Sequence, residues 1–429
     1  MFWDQDIETL GVEPLREFQL EKFNASIQQA KKSGYYREKL RGFDKLEKLD
    51  DIEGLPFTCK QDLRDGFPYG FLCVDISEAV RLHSSSGTTG NPTVIFHTSS
   101  DIEGWSDFAA RSMYMAGVRK EDVFQNIMGY GLFTGGLGFH YGAERLGVLT
   151  IPSGPGNSRR QVWFMQKFGT TVIHILPNYA LRLHSFFRDA GMDPVTDLRL
   201  RIAFVGAEPH SEEVRKKIEN LYSIKVYNSY GLSEMYGPGV AFECPLQDGM
   251  HIWEDYFYPE IIDPATGRPL PEGEEGELVL STLRRRAMPI LRYRTRDLTR
   301  ILPGKCECGR THRRIERIKG RTDDMLIING VNIFPVQIEK TVMKVPEAGS
   351  SYLIEVGTQG HMDKLTVKVE LAAESFHGTL RELENLQKHI ADELRDEIGV
   401  YPEVQLVESG SLPVSEGKAE RVIDLREEK

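Results

Sequence analysis

The chain has 429 residues, 40% of them hydrophobic and 27% charged, with a formal net charge of −11. That length leaves room for two or three domains and a sizeable core, and the acidic balance argues against the basic footprint that non-specific nucleic-acid binding needs. The first six residues lack the basic-then-apolar pattern of a signal peptide, no run of about 18 apolar residues suits a membrane span, and five cysteines in a long chain do not suggest a disulfide framework. A cytoplasmic protein with neither a membrane nor a nucleic-acid partner is expected.

Residues 7–40 carry helical periodicity, with Leu10, Leu15, Phe18, Leu20 and Phe23 set among charges. Ala79-Val80-Arg81-Leu82-His83 reads as a short strand, and Thr93-Val94-Ile95-Phe96 as another. Between them lies Ser-Ser-Ser-Gly-Thr-Thr-Gly at residues 84–90. Gly87 and Gly90 can take positive φ and let the backbone approach a ligand. The hydroxyls of Ser84, Ser85, Ser86, Thr88 and Thr89 stand beside a row of backbone N–H groups that suits phosphate oxygens. A flexible Ser/Gly linker is the competing reading, but linkers seldom sit between two tight apolar runs. The loop is not of the Walker type, because Asn91-Pro92 follows Gly90 where Lys-Ser/Thr would open a helix.

Farther along, short β-branched runs alternate with helical stretches. Val172–Leu176 is a buried-strand candidate followed by a helix over 179–188, and Arg201–Val205 a second strand followed by the turn Gly206-Ala207-Glu208-Pro209. Ser211 opens a helix with Glu212 and Glu213 in its first turn, and Lys225-Val226-Tyr227 is a third strand. This repetition implies a largely parallel sheet covered by helices. Residues 245–300 change to an antiparallel or barrel-like subdomain, with strands around Ile261-Ile262 and at 277–282. A boundary falls near Gly320–Asp324. Beyond it comes an α+β pattern, with strands at 325–328 and 365–371 and an amphipathic helix over about 379–398.

Five separated segments fit together: the Ser/Gly/Thr loop, Gly206–Pro209, Tyr230-Gly231-Leu232-Ser233-Glu234, Tyr293-Arg294-Thr295-Arg296-Asp297, and the pair Gly320–Asp323 with Pro413-Val414-Ser415-Glu416-Gly417-Lys418. Their order and spacing resemble the adenylate-forming superfamily of acyl-CoA synthetases. The stretch Asn126–Glu144, with Gly237–Ala241, His251–Asp255 and Cys306–His312, is similar to the phenylacetate–CoA ligase family, and the similarity runs from about Ile7 to Leu425. The fold implied is α/β. A large N-terminal domain over 1–322, with mixed and parallel sheets under helices and a barrel-like subdomain, would bind AMP and the acyl group. A small mobile α+β domain over 323–429 would carry the adenylation lysine. Two positions depart from the pattern: Thr93 follows Pro92 where the superfamily usually has Lys, and Asn91 stands where this family often carries one.

The resemblance implies a two-step reaction using ATP, Mg²⁺ and coenzyme A. Ser84, Ser85, Gly87, Thr88, Thr89 and Gly90 would hold phosphates, with Thr88 and Lys418 acting in catalysis. Glu234 would serve Mg²⁺, a hard ion suited to oxygen ligands. Gly206, Ala207, Glu208 and Tyr230 would frame the adenine, with Tyr230 stacking on its face, and Pro209, Asn228 and Gly231 would also contact the nucleotide. Asp297 would take both ribose hydroxyls, Arg321 would reach ribose or phosphate, and Asp323 would be the hinge. A structural ion pair is the competing reading for Asp297 and Arg321. The acyl pocket is expected from Tyr130, Phe133, Gly135, Gly136, Phe139, Ala207 and Tyr236, where glycines leave room for a flat ring and aromatic walls suit it. Core packing is the alternative for each aromatic.

Cys306-Glu307-Cys308-Gly309 resembles a zinc knuckle, and Cys244 with His251 could complete a Cys₃His tetrahedron, with His312 as the competing imidazole. Cys59 and Cys73 have no nearby partner in sequence. The leading function is an aryl-acid–CoA ligase. The alternatives are an enzyme loading an aryl acid onto a carrier protein and a non-catalytic nucleotide-binding regulator. A homodimer is a family-level expectation.

Overall fold

The computed structural model describes residues 1–85, 91–359, 362–372, 379–413 and 421–426. The N-terminal helices α1 (Gln5–Glu8), α2 (Val12–Ala30), α3 (Gly34–Lys39) and α4 (Lys60–Asp65) come first. Helix α2 buries Leu15, Gln19, Phe23, Ser26, Ile27 and Ala30, one stripe at helical spacing. Strands β1 (Ala79–Ser84) and β2 (Val94–Thr98) pair antiparallel, so that Ser84 faces Val94 at the mouth of the hairpin. Thr98 and Asp101 form a capping box that starts α5 (Ser99–Met115).

The main sheet contains β3 (Val123–Asn126), β4 (Leu149–Ile151), β5 (Val172–Ile175), β6 (Ile202–Gly206) and β7 (Lys225–Leu232). These five are parallel in the order β4-β3-β5-β6-β7. The helices between them are α6 (Leu137–Leu146), α7 (Ser158–Phe168), α8 (Pro177–Asp189) and α9 (Glu212–Tyr222). Strands β5 and β6 are buried along their whole length, as apolar runs covered on both faces should be. The sheet then turns antiparallel. Only residues 233–236 join β7 to β8 (Gly237–Glu243), too few for the crossover a parallel neighbour needs. Strand β9 (Met250–Ile252) follows, and the sheet ends in two short strands given below.

A second, four-stranded antiparallel sheet runs β10 (Phe257–Ile262), β11 (Gly276–Thr282), β12 (Tyr293–Thr299) and, at its far edge, β15 (Gly320–Arg321). Between β12 and β15 the chain returns to the main sheet as β13 (Ile301–Leu302) and β14 (Arg314–Ile315), which pairs with β9.

The C-terminal part opens with the hairpin β16 (Leu326–Ile328) and β17 (Val331–Ile333), then α10 (Pro335–Lys344). A sheet in the order β20-β19-β18-β21 follows, from β18 (Ala348–Gln359), β19 (Met362–Leu371), β20 (Glu403–Val407) and β21 (Val422–Asp424). Helix α11 (Leu380–Ile398) buries Ile390, Ala391, Leu394 and Ile398. Ile338, Val342 and Tyr352 of this part share one apolar cluster with Val214, Ile218 and Tyr222 of α9. Among the described residues no helix is long and apolar enough to cross a membrane.

Candidate active site

The loops at the carboxyl ends of parallel strands are the usual place for ligands in an α/β sheet. Here that edge carries Gly206–Pro209 after β6 and Tyr230–Glu234 at the end of β7. Gly206 is required by close packing, since a Cβ would lie 2.2 Å from the Ser229 carbonyl oxygen. Gly231 is required likewise, with the Gly237 carbonyl oxygen 2.0 Å from its would-be Cβ. Ala207 takes φ +67°, a left-handed turn unusual for a residue with a side chain. The Asn178 N–H donates to Glu208 Oε1 at 3.0 Å, tying the loop to the start of α8. Asn228 is held through its N–H on Glu243 Oε2 at 2.7 Å.

The two sheets meet at Asp297. The Tyr230 hydroxyl donates to Asp297 Oδ2 at 2.6 Å, and Arg321 Nη1 donates to Oδ1 at 3.2 Å. Burial pushes the Asp297 carboxyl above its usual range, against the pull of Arg321 and Tyr230. Arg321 also forks onto Asp323, with both bonds at 2.9 Å. The ion pair of Asp297 and Arg321 therefore exists, and each carboxylate oxygen keeps a further lone pair for a ligand hydroxyl.

Glu234 sits in the turn after β7 and is buried. Burial and the nearby Glu234 carboxylate hold the Tyr293 hydroxyl well above the usual phenol range. The Glu234 carbonyl accepts Arg285 Nη1 at 2.6 Å. The hydroxyls of Ser233 and Thr134 lie 3.1 Å apart, joining this turn to the loop before α6. The same loop reaches β1, where Leu132 O accepts the Ser84 N–H at 3.0 Å and lies 3.1 Å from His83 Nδ1. Ser85 pins the hairpin mouth: its N–H donates to Thr93 O at 3.1 Å and its Oγ accepts the Thr93 N–H at 3.0 Å. The phosphate-loop hairpin, the 129–136 loop and Glu234 thus converge. Gly87, Thr88, Thr89 and Gly90 lie outside the described residues, and so does Lys418.

The residues assigned to the acyl pocket divide. Tyr130 stands at the carboxyl end of β3, with its hydroxyl 2.9 Å from Asn126 Nδ2 and 3.3 Å from His140 Nδ1. Gly136 folds back on Gly129, where a Cβ would lie 2.8 Å from the carbonyl oxygen, and Gly135 is beside it. Phe139 instead stacks on Phe204 at 5.3 Å between ring centres and meets His174 and Phe242 edge-on, deep in the core. Tyr236 is also core, packed on Phe108 and under the Arg285 guanidinium at 4.7 Å. Phe133 is 56% exposed. Tyr293 and Arg285 flank Glu234; in the sequence Arg285 belongs to a basic triplet, Arg284–Arg286, that reads equally as a local basic pocket or a solvated turn, and Tyr293 opens the motif that ends at Asp297.

Away from this edge, the ligand atoms of Cys244, His251, Cys306 and Cys308 all lie within 4.8 Å of one another. Cys244 and Cys306 sulfurs are 3.8 Å apart, and Cys308 Sγ is 3.3 Å from His251 Nε2. A tetrahedron with zinc–sulfur bonds of about 2.3 Å has an edge of about 3.8 Å, so the spacing fits zinc and is far too long for a disulfide. His251 Nδ1 faces the His312 carbonyl oxygen at 2.9 Å, which orients Nε2 toward the cysteines. His312 is turned elsewhere, with Nε2 3.1 Å from the Ile7 carbonyl oxygen and Nδ1 accepting the Glu254 N–H at 3.3 Å.

Residues 75–283 match the AMP-binding enzyme family, and residues 330–426 match the AMP-binding enzyme C-terminal domain. The phenylacetate-coenzyme A ligase of Pseudomonas putida is 46% identical over 426 residues, covering 98% of this chain and 96% of that protein. That of Escherichia coli (strain K12) is 44% identical, covering 98% and 97%. The chain belongs to the phenylacetate–CoA ligase family of adenylate-forming enzymes. Among solved structures, 2-hydroxyisobutyryl-CoA ligase in the postadenylation state, in complex with R3-HIB-AMP, is 30% identical and superposes with a TM-score of 0.92 over 99% of this chain and 92% of that one. The same ligase in the thioesterification state, with 2-HIB-AMP and CoA, is 31% identical over 99% of this chain and 93% of that one, and superposes at 0.74. The family member described here thus shares the arrangement of the postadenylation state more closely.

Proposed function

We propose that the chain activates phenylacetate with ATP and passes the acyl group to coenzyme A, giving phenylacetyl-CoA, AMP and pyrophosphate. A carboxylate oxygen of the acid attacks the α-phosphorus. The new P–O bond forms as the bond to the bridging oxygen breaks, and pyrophosphate leaves. The coenzyme A sulfur then attacks the acyl carbon, the bond to AMP breaks, and the thiol proton passes to solvent. The observation that carries this reading is the convergence of the phosphate-loop hairpin, the buried Glu234 and the Tyr230–Asp297–Arg321 group on one sheet edge.

In this reading Asp297 accepts the ribose hydroxyls, with Tyr230 and Arg321 fixing its two oxygens. Gly206–Pro209 border the adenine, and Ser84 and Ser85 anchor the loop whose Gly87–Gly90 segment cradles phosphates. Lys418 supplies a cation to the charge that develops at the α-phosphate. Glu234, buried beside Tyr293, is an oxygen ligand fit for Mg²⁺, which when bound would neutralise phosphate charge. Tyr130, Gly135, Gly136 and Ala207 border the aryl group, and Asp323 is the hinge. The Cys244–His251–Cys306–Cys308 cluster holds a structural Zn²⁺: four protein ligands leave no open position.

The test is AMP release from ATP and phenylacetate, with and without coenzyme A. The expected result is turnover only with the thiol present, with phenylacetyl-AMP retained on the protein in its absence. A burst of AMP-forming activity that requires a carrier protein instead, or ATP binding with no adenylate, would displace this assignment.

A further inference from the structure

The two parts of the chain are joined by a polar network as well as by apolar packing. Glu339 on α10 is 3% exposed, and its Oε2 accepts the N–H of Ser211 at 2.7 Å. Ser211 is the N-cap of α9, two residues beyond the Gly206–Pro209 loop. The other carboxylate oxygen faces the Tyr352 hydroxyl at 3.5 Å. Burial raises the Glu339 carboxyl to about 7, with the Ser211 N–H and Arg421 opposing the shift and Glu208 adding to it.

Arg421 completes the network. Its guanidinium lies 4.4 Å over the Tyr352 ring, and Nη1 donates to the Tyr352 carbonyl oxygen at 3.0 Å. Nη2 donates across the boundary to Asn178 Oδ1. Asn178 in turn donates its N–H to Glu208 Oε1. The small part therefore reaches the adenine-side loop by two routes, through Asn178 to Glu208 and directly to Ser211. Arg421 follows Lys418 by three residues in the chain.

We propose that Glu339 and Arg421 form a releasable latch on Ser211 and Asn178 that seats the small domain for adenylation. The proposal rests on the two-step reading above. Each latch bond exchanges for bonds to water when the parts separate, so its net hold is modest, as a latch opened once per turnover requires. The apolar contact between α9 and α10 supplies area, whereas the latch supplies register. It acts at the loop that borders the nucleotide.

The test uses full-length protein and two readouts. Asn178→Ala and Glu339→Ala should each slow phenylacetyl-AMP formation about tenfold, the scale of one lost hydrogen bond to a charged group, and leave thioester formation from supplied phenylacetyl-AMP within about twofold. Glu339→Gln keeps an acceptor for the Ser211 N–H and should stay within about threefold in both steps. Independently of activity, hydrogen–deuterium exchange over residues 207–215 should speed in Glu339→Ala, with strands β5 and β6 unchanged. Equal losses in both half-reactions, a Gln variant as impaired as the Ala variant, or unchanged exchange at 207–215 would overturn the latch. If the unmodified chain makes no phenylacetyl-AMP, the functional reading fails, while the exchange experiment still judges the contact.

Discussion

Replacing Asp297 with Ala tests whether the buried carboxylate is a ribose acceptor or only a structural partner. The structure separates the two costs. In the ligand-free site the change removes the 2.6 Å bond from Tyr230 and the 3.2 Å bond from Arg321. Arg321 is not stranded, because both of its 2.9 Å bonds to Asp323 survive. Folding should therefore lose chiefly the Tyr230 bond, whose hydroxyl gives up its carboxylate acceptor, about 1.5–3 kcal/mol. Nucleotide binding loses the charged acceptor itself, which is again about 1.5–3 kcal/mol and corresponds to a roughly 10- to 150-fold rise in KM for ATP. KM for phenylacetate should stay put. ATP–pyrophosphate exchange measures both constants, and thermal unfolding measures the stability cost. Asp297→Asn, which keeps one acceptor oxygen and drops the charge, should fall between. A KM for ATP within about twofold of the parent, together with a collapsed Tm, would mean that Asp297 serves only to hold Tyr230 and Arg321.

Three further outcomes are expected. Cys306→Ser should release zinc and lower the Tm while leaving adenylation largely intact at low temperature; elemental analysis of chelator-free, untagged parent protein should find about one equivalent of zinc, and less than a tenth would refute the site. Lys418→Ala should slow adenylation by roughly 10²–10⁴ and spare thioester formation, as loss of one transition-state partner predicts; single-turnover assays of each half-reaction distinguish this from a general defect. Gly206→Ala should cost about 1–3 kcal/mol in urea unfolding and raise KM for ATP, because the new Cβ meets backbone that cannot move without shifting the end of β6.

What could be read from sequence was what is local. The runs at Val172–Ile175 and Ile202–Gly206 are strands because they are short, apolar and covered on both faces, and Ser211 caps α9 through its hydroxyl on the Val214 N–H. The antiparallel half of the main sheet was not legible: β9, β13 and β14 are two or three residues long, and β8, with seven, is buried almost throughout and so shows no alternation. Phe139 and Tyr236, both buried in the core, show why aromatic content does not by itself locate a pocket. A ring packed on Phe204 and a ring lining a pocket have the same signature in a sequence. The choice between His251 and His312 likewise needed coordinates, because only the backbone partners of His312 show that both its nitrogens are engaged. The latch had no sequence signal at all: Arg421 and Asn178 are 243 residues apart, and Glu339 and Ser211 are 128 apart.

Those distant contacts and the motif residues are parts of one arrangement. The sheet edge that carries Gly206, Tyr230 and Glu234 is fixed by packing, as the backbone clashes awaiting any Cβ at Gly206 and Gly231 demonstrate. The small part is held by apolar packing on α9 together with polar bonds that water can replace. Arg321 stands between the two. One of its nitrogens binds Asp297 in the proposed nucleotide site, and two bind Asp323, the proposed hinge. A rotation at Asp323 must release that fork or carry Arg321 with it, and either change alters what Asp297 presents to a ribose. The residues proposed to bind the nucleotide and the proposed hinge are therefore coupled through a single guanidinium, so substitutions at Asp323 should be read in nucleotide affinity as well as in the balance of the half-reactions.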